Sequence, residues 1–165
     1  MEAVEAECLQ AFELADIVET YTDTLFRISF SMTGSAVDAE DILQNVFLKY
    51  HTKKPLFRGE EHCKAWLIRV TINECKNFLR FRALRRTEDI APLEEILPDR
   101  SERSIFKDIL LLSPKYRLVL HLHYVEGYKT AEVADILKIT PAAVRKRLEK
   151  GRKQLRLIYD GEALL

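Results

Sequence analysis

Apolar side chains recur at helical spacing along most of this chain, and glycine, proline or a capping residue separates one run from the next. Tyr21, Leu25, Ile28 and Met32 fall at i, i+4, i+7 and i+11, one stripe of an amphipathic helix that Gly34 ends. Ser35 then stands as an N-cap with Asp38 at the capping-box position, and Ala39, Leu43, Val46 and Tyr50 form the buried stripe of a second helix. Lys53, Lys54, Pro55 and Gly59 mark a loop. A third helix is predicted from about His62 to Arg86, with Cys63, Leu67, Val70, Phe78 and Phe81 on its apolar face, interrupted by Glu74.

Between Thr87 and Arg100 the periodicity gives way to acidic residues with Pro92 and Pro98, the composition of an interdomain linker. Beyond it Ile105, Ile109 and Leu112 share a face, Ser113-Pro114 opens another helix that closes near Gly127, and Thr130 caps a short one holding Val133, Ala134, Ile136 and Leu137. Thr140-Pro141 starts the last long helix after only a few connecting residues, and two helices joined so tightly form a helix-turn-helix signature. No strand pattern competes. The expected fold is all-α: an acidic extension at 1–20, a helical domain at 21–86, a flexible linker at 87–100 and a second helical domain at 101–165.

The formal net charge is zero, but it is a balance of opposed blocks: −8 over 1–50, +7 over 51–86, −4 over 87–114, +7 over 115–158 and −2 in the tail. Two basic blocks divided by an acidic one suggest two places where phosphates are met, because Lys and Arg gain affinity by releasing condensed counterions. No apolar run reaches bilayer length, and the acidic start lacks the basic region of a signal peptide, so membrane insertion is not expected and the chain is placed in the cytoplasm. Cys8, Cys63 and Cys75 contain no C-x-x-C pair and read as free thiols.

Two helix faces carry the chemistry. In the last helix Val144, Leu148, Gly151, Leu155 and Ile158 define the buried side, leaving Arg145, Lys146, Arg147, Lys150, Arg152, Lys153 and Arg156 outward. Residues early in a recognition helix reach base edges, so Arg145, Lys146, Glu149 and Lys150 are assigned to readout, and Arg152, Lys153 and Arg156 to the phosphate backbone. In the third helix Arg69, Asn73, Lys76 and Arg80 lie on one stripe bordered by Asn77, beside Trp66 and a loop with Phe57 and Arg58. Cations, amides and rings in that combination suit an unstacked single strand, although Trp66 and Phe78 also suit a core.

The string Asp38-Ala39-Glu40-Asp41-Ile42-Leu43-Gln44-Asn45-Val46-Phe47 resembles the polymerase-binding helix of bacterial sigma factors of the extracytoplasmic-function (ECF) group within the sigma-70 family. Phe57-Arg58-Gly59 with Trp66-Leu67-Ile68-Arg69-Val70 and Asn73 is similar to that group's promoter-melting region. Glu126-Gly127-Tyr128-Lys129-Thr130-Ala131-Glu132-Val133-Ala134, continuing to Val144-Arg145-Lys146-Arg147-Leu148, resembles its terminal helix-turn-helix. The similarity runs from about Tyr21 to Leu157.

The resemblance implies that 21–86 is a region 2 domain in which Asp38, Glu40, Asp41, Gln44 and Phe47 dock on core RNA polymerase. Phe57, Arg58, Trp66, Arg69, Asn73, Lys76, Asn77 and Arg80 would then recognise and open the minus 10 element of promoter DNA. It implies that 101–165 is a region 4 domain whose Thr130, Arg145, Lys146, Glu149, Lys150, Arg152 and Lys153 contact the minus 35 element. A cognate anti-sigma factor, often membrane-anchored in this group, is an implied partner. The sequence departs from the group at Lys138-Ile139, where the turn often has a glycine; a lysine at positive φ is strained by about 1 kcal/mol.

Enzyme chemistry finds no support. His121 and His123 are two apart and face different ways on a helix, and no glycine-rich phosphate loop, nucleophile elbow or H-E-x-x-H motif is present, so no cofactor or metal is expected. A stand-alone helix-turn-helix regulator is a second reading; it leaves the Asp38 to Phe47 helix unexplained. A helical adaptor without DNA binding is a third, and it predicts no salt-sensitive affinity for DNA.

Overall fold

The computed structural model describes residues 9–85 and 108–162. The first helix, α1 (Leu14–Thr33), begins before the Tyr21 stripe, so the expected boundary at residue 20 falls inside a helix. Ile17 is part of the core, and just ahead of α1 Gln10 and Phe57 exchange a pair of backbone hydrogen bonds, each 2.8 Å. That pairing pins residues just ahead of α1 to the loop before the third helix. Residues 1–8 lie outside the described residues.

Gly34 ends α1 in the left-handed conformation at φ 73°, its N–H donating to the Phe30 carbonyl at 2.8 Å, as a helix C-terminus requires. The Ser35 hydroxyl then accepts the Asp38 N–H at 3.3 Å and starts α2 (Ala36–Lys53). Ala39, Leu43, Val46 and Tyr50 are all buried, as their spacing predicts.

The long helix α3 (Glu60–Arg85) departs from expectation in phase. Its buried band is Cys63, Leu67, Ile68, Thr71, Ile72 and Cys75; Val70 and Phe78 are half-buried, and Phe81 is 53% exposed. The helix is covered by α1 and α2 and also by a helix of the second half, so the buried arc is too broad for one narrow stripe to define. Glu74 has a partner across the interface: its carboxylate pairs with Lys49 of α2.

The second half resumes with helical residues 108–111 and continues with α4 (Pro114–Leu120), which opens on Ser113 in extended conformation. It passes directly into a π-helical turn, His121–Val125, where the Glu126 N–H bonds the His121 carbonyl at 3.1 Å. Gly127, at φ 75°, turns the chain toward α5 (Thr130–Leu137). Thr130 is not the cap expected there. Lys129 holds the N-cap position in extended conformation, and its N–H donates to Oε2 of Glu132 at 2.7 Å. Lys138 forms the turn at φ 55° and ψ 45°, and Thr140 caps α6 (Pro141–Glu162) by accepting the Ala143 N–H at 3.1 Å. Val133, Ala134, Ile136 and Leu137 are buried together with Val144, Leu148 and Gly151; each large apolar side chain in such a core contributes about 1.5–3 kcal/mol.

The two halves pack on one another. Arg117 donates from Nη2 to the Met32 carbonyl at 3.0 Å, Leu110 lies against Gly34, Arg27 pairs with Glu126 at 3.3 Å, and the Lys64 ammonium sits 5.4 Å from the Tyr128 ring centre. The expected linker, 87–100, lies outside the described residues. Among the described residues there is no β-strand, and no helix is long and apolar enough to cross a membrane.

Candidate nucleic-acid and polymerase interface

Three surfaces follow from these helices. The first is the outer face of α2. Glu40, Asp41 and Gln44 are exposed and Phe47 is half-buried, with its ring against the core. Asp38 is partly withdrawn, because its Oδ2 accepts from Nη1 of Arg82 on α3 at 3.3 Å. Val37 and Leu48 stand 66% and 61% exposed on the same helix. Sequence reasoning missed both; as apolar residues off the buried stripe they were the available signal for an acidic face with an apolar component.

The second surface is on α3. Asn73, Lys76, Asn77 and Arg80 are exposed along one side, and Arg69 is half-buried with its Nε hidden from solvent. Phe57 is not on this surface. It is 1% exposed, between Phe12, Tyr50, His62 and Trp66 at centroid distances of 5.4–6.3 Å. The Gln10 pairing and this aromatic cluster hold it inside, so the expected contact of its ring with a base is not available in this arrangement. Trp66 is half-buried and meets Tyr50 edge-on at 6.1 Å, a packing role first. The neighbouring loop is ordered by a 3.3 Å bond from the Arg58 N–H to Nδ1 of His62.

The third surface is on α6. Gly151 sets how closely that helix lies on α4, since a Cβ there would come 3.1 Å from Cδ1 of Leu120. This seating turns Arg145, Lys146, Glu149, Lys150, Arg152 and Lys153 to solvent, with Thr130 of α5 half-buried. Arg152 is held by a 2.8 Å bond from Nη1 to the Tyr124 hydroxyl, and Arg156 pairs with Asp160 one turn on. Arg147 is half-buried, turned partly toward the first half.

Burial also shifts the titratable groups inside the fold. Burial pushes the Cys63 thiol up to about 11, with Glu60 adding to it, and the Cys75 thiol up to about 12, so neither is a nucleophile near neutral pH. His121 is lowered by burial while its bond to Glu126 opposes the shift. Among the described residues no group of three His, Cys, Asp or Glu side chains can hold a metal ion.

An exposed cationic helix after a tight turn, preceded by a separate helical unit with its own cationic and amide stripe, matches two family descriptions in the same order. Residues 17–85 match Sigma-70 region 2, and residues 109–155 match Sigma-70, region 4. The chain belongs to the ECF group of sigma-70 factors. It is 27% identical over 161 residues to the ECF RNA polymerase sigma factor SigW of Bacillus subtilis, with 86% of each chain covered. It is 28% identical over 152 residues to the RNA polymerase sigma-E factor of Streptomyces coelicolor, covering 89% of this chain and 86% of that one. The fold of this sigma factor is also that of the sigma factor RpoE from Bartonella quintana, solved in complex with the anti-sigma factor NepR. The TM-score there is 0.75 at 20% identity over 88% and 96% of the two chains. CnrH, solved with the cytosolic domain of CnrY, superposes with a TM-score of 0.65 at 20% identity over 90% and 88%.

Proposed function

We propose that this sigma factor binds core RNA polymerase through the outer face of α2 and reads promoters with two separate helices. Its α3 stripe of Asn73, Lys76, Asn77 and Arg80 would hold the melted minus 10 strand, and α6 would lie in the major groove of the minus 35 duplex. The observation that carries this reading is the α6 surface, where a sealed apolar seam at Val144, Leu148 and Gly151 leaves Arg145, Lys146, Glu149, Lys150, Arg152 and Lys153 in solvent. Arg145, Lys146, Glu149 and Lys150, nearer the helix start, take the bases, and Arg152 and Lys153 the backbone. Catalysis belongs to the polymerase, and the site of action is the cytoplasm, where polymerase and DNA meet.

Elements named minus 10 and minus 35 lie about 25 base pairs apart, roughly 85 Å of duplex at 3.4 Å per base pair. With α1 and α4 packed on one another, α3 and α6 are too close together to reach both. The closed packing therefore opens on promoter engagement; the 22 residues between Arg85 and Asp108 extend at most about 75 Å, and α3 and α6, about 39 and 33 Å long at 1.5 Å per residue, supply the remainder. An anti-sigma factor, present as NepR in the solved complex of RpoE by the name that structure carries, is the natural partner to act on that equilibrium.

Reconstitution decides the matter. Purified chain mixed with core polymerase and a promoter library yields defined start sites that core polymerase alone does not. Binding to duplex DNA without any effect on initiation would instead favour a stand-alone regulator.

A further inference from the structure

We propose that the cleft between the two halves binds a small amphipathic anion, a phosphate or carboxylate head on an aliphatic body. The cleft has a volume of about 390 Å³ and is walled by Lys76 and Arg80 from α3 and by Lys115 and Arg147 from α4 and α6. Among the described residues none of these four cations pairs with a carboxylate, although the chain carries as many acidic as basic groups; Lys115 lies 5.0 Å over its neighbour's ring, Tyr116. Four cations that face one cleft with no carboxylate partner among the described residues repel one another, and an anion placed among them relieves that repulsion. Its floor is aliphatic, made by Met32, Leu79, Leu118, Leu137 and Ile139.

Size and lining choose the occupant. Small-molecule sites run from about 300 to 1,000 Å³ and favour domain interfaces, so the cleft falls at the small end of that range. A partner helix is excluded, because even two turns with side chains, about 10–12 Å across, need more than twice this volume. In the closed arrangement no aromatic ring lines the cleft, so it offers a single strand no base-stacking partner, and the contacts of Lys76 and Arg80 with a melted strand belong to the open arrangement. Cations above an aliphatic floor match a charged head and an alkyl chain.

Because both halves supply the walls, such a ligand binds the closed arrangement alone and opposes its opening by its differential affinity for the two states. It would thus compete with promoter engagement without touching polymerase. This goes beyond the sigma-factor reading, and its failure is separable from failure of that reading, because transcription without the ligand tests the latter.

The experiment uses full-length protein and four probes below their micelle concentrations: decyl phosphate, decanoate, inorganic phosphate and neutral decyl maltoside. Calorimetry should give binding of decyl phosphate or decanoate at least ten-fold tighter than of either inorganic phosphate or the maltoside. K115E should weaken it at least five-fold, and K53E, a charge change on exposed α2, should leave it unchanged. Hydrogen exchange should slow at Leu118 and Leu137 with ligand, and affinity for a minus 35 duplex should fall. K115E without ligand should initiate transcription as the unaltered chain does. Equal binding of the neutral amphiphile, no effect of K115E, an equal effect of K53E, tighter binding of an acidic peptide than of either alkyl anion, or no binding at all would each overturn the proposal.

Discussion

Arg117 of α4 donates from Nη2 to the main-chain oxygen of Met32, in the last turn of α1, at a distance of 3.0 Å. Carbonyls in a last helical turn lack intrahelical donors, and the helix dipole places partial negative charge there, so a cation fills both needs. Arg117 is nevertheless only 7% exposed, burial lowers its pKa, and its Nε has no partner among the described residues. The bond therefore joins the halves while keeping a desolvated charge between them.

Arg117→Ala is expected to lower stability by about 1.5–3 kcal/mol, the range for a hydrogen bond to a charged group. Urea unfolding measures the loss. Faster amide exchange at the end of α1 and in α4 would show that it arises at the contact between the halves; an unchanged exchange pattern would contradict this account.

Phe57 separates a packing role from a promoter role. Phe57→Ala removes a fully buried ring and should cost about 3–5 kcal/mol. Phe57→Leu keeps most of the volume, and promoter opening per folded molecule should be unchanged, read by permanganate reactivity of unpaired thymines at the start site. A loss of opening with retained stability would return the ring to the DNA interface.

The contrast between α2, α3 and the contact between the halves shows which features were legible in sequence. The α2 stripe was readable because one side is buried and one is wet, so Ala39, Leu43, Val46 and Tyr50 repeat cleanly. On α3 the neighbours from both halves widened the buried arc, and Phe81, counted as core, came out exposed. Lys129 rather than Thr130 caps α5 because the preceding residue is the one in extended conformation, with Glu132 reaching back, a geometry that residue preference alone misses. The contact between the halves left no periodic trace: Arg27 and Glu126 are polar and 99 positions apart. At Lys138-Ile139 the missing glycine marked the turn but left its geometry open, and the positive φ falls on Lys138.

That lysine gives a third prediction. Lys138→Gly removes the Cβ penalty of the left-handed conformation and should stabilise the second half by about 1 kcal/mol, visible as a raised thermal midpoint. The side chain is exposed and outside α6, so affinity for the minus 35 duplex should not change.

A fourth concerns acid. His121 sits against Oε1 of Glu126 at 3.2 Å, and Arg27 pairs with the same oxygen at 3.3 Å. Burial lowers the His121 pKa from 6.5, Arg27 lowers it further, and Glu126 works against both. The unfolded chain then binds more protons than the folded one just below pH 6.5, so stability falls on acidification through that window and is complete above it. His121→Gln should flatten the pH dependence of unfolding between about pH 7 and 5; the same slope in the variant would assign it to other groups.

The last prediction tests the division of labour along α6. Arg145 stands in the first turns and Lys153 three turns from the start, both exposed. If the helix enters the groove with its N-terminal end, Arg145→Ala should cost about 1–3 kcal/mol on the preferred sequence and little on others, while leaving the salt slope almost unchanged. Lys153→Ala should weaken every duplex alike and reduce the slope of log affinity against log salt by about one, the signature of a lost phosphate contact. Arg152 is a useful intermediate. Its bond to the Tyr124 hydroxyl fixes the guanidinium in advance, so Tyr124→Phe should weaken DNA binding less than Arg152→Ala does, through loss of positioning alone. Anisotropy titrations at several salt concentrations, on matched and mismatched duplexes, read all three. A salt slope lowered by Arg145→Ala, with sequence preference lost in Lys153→Ala, would reverse the orientation of α6 on DNA.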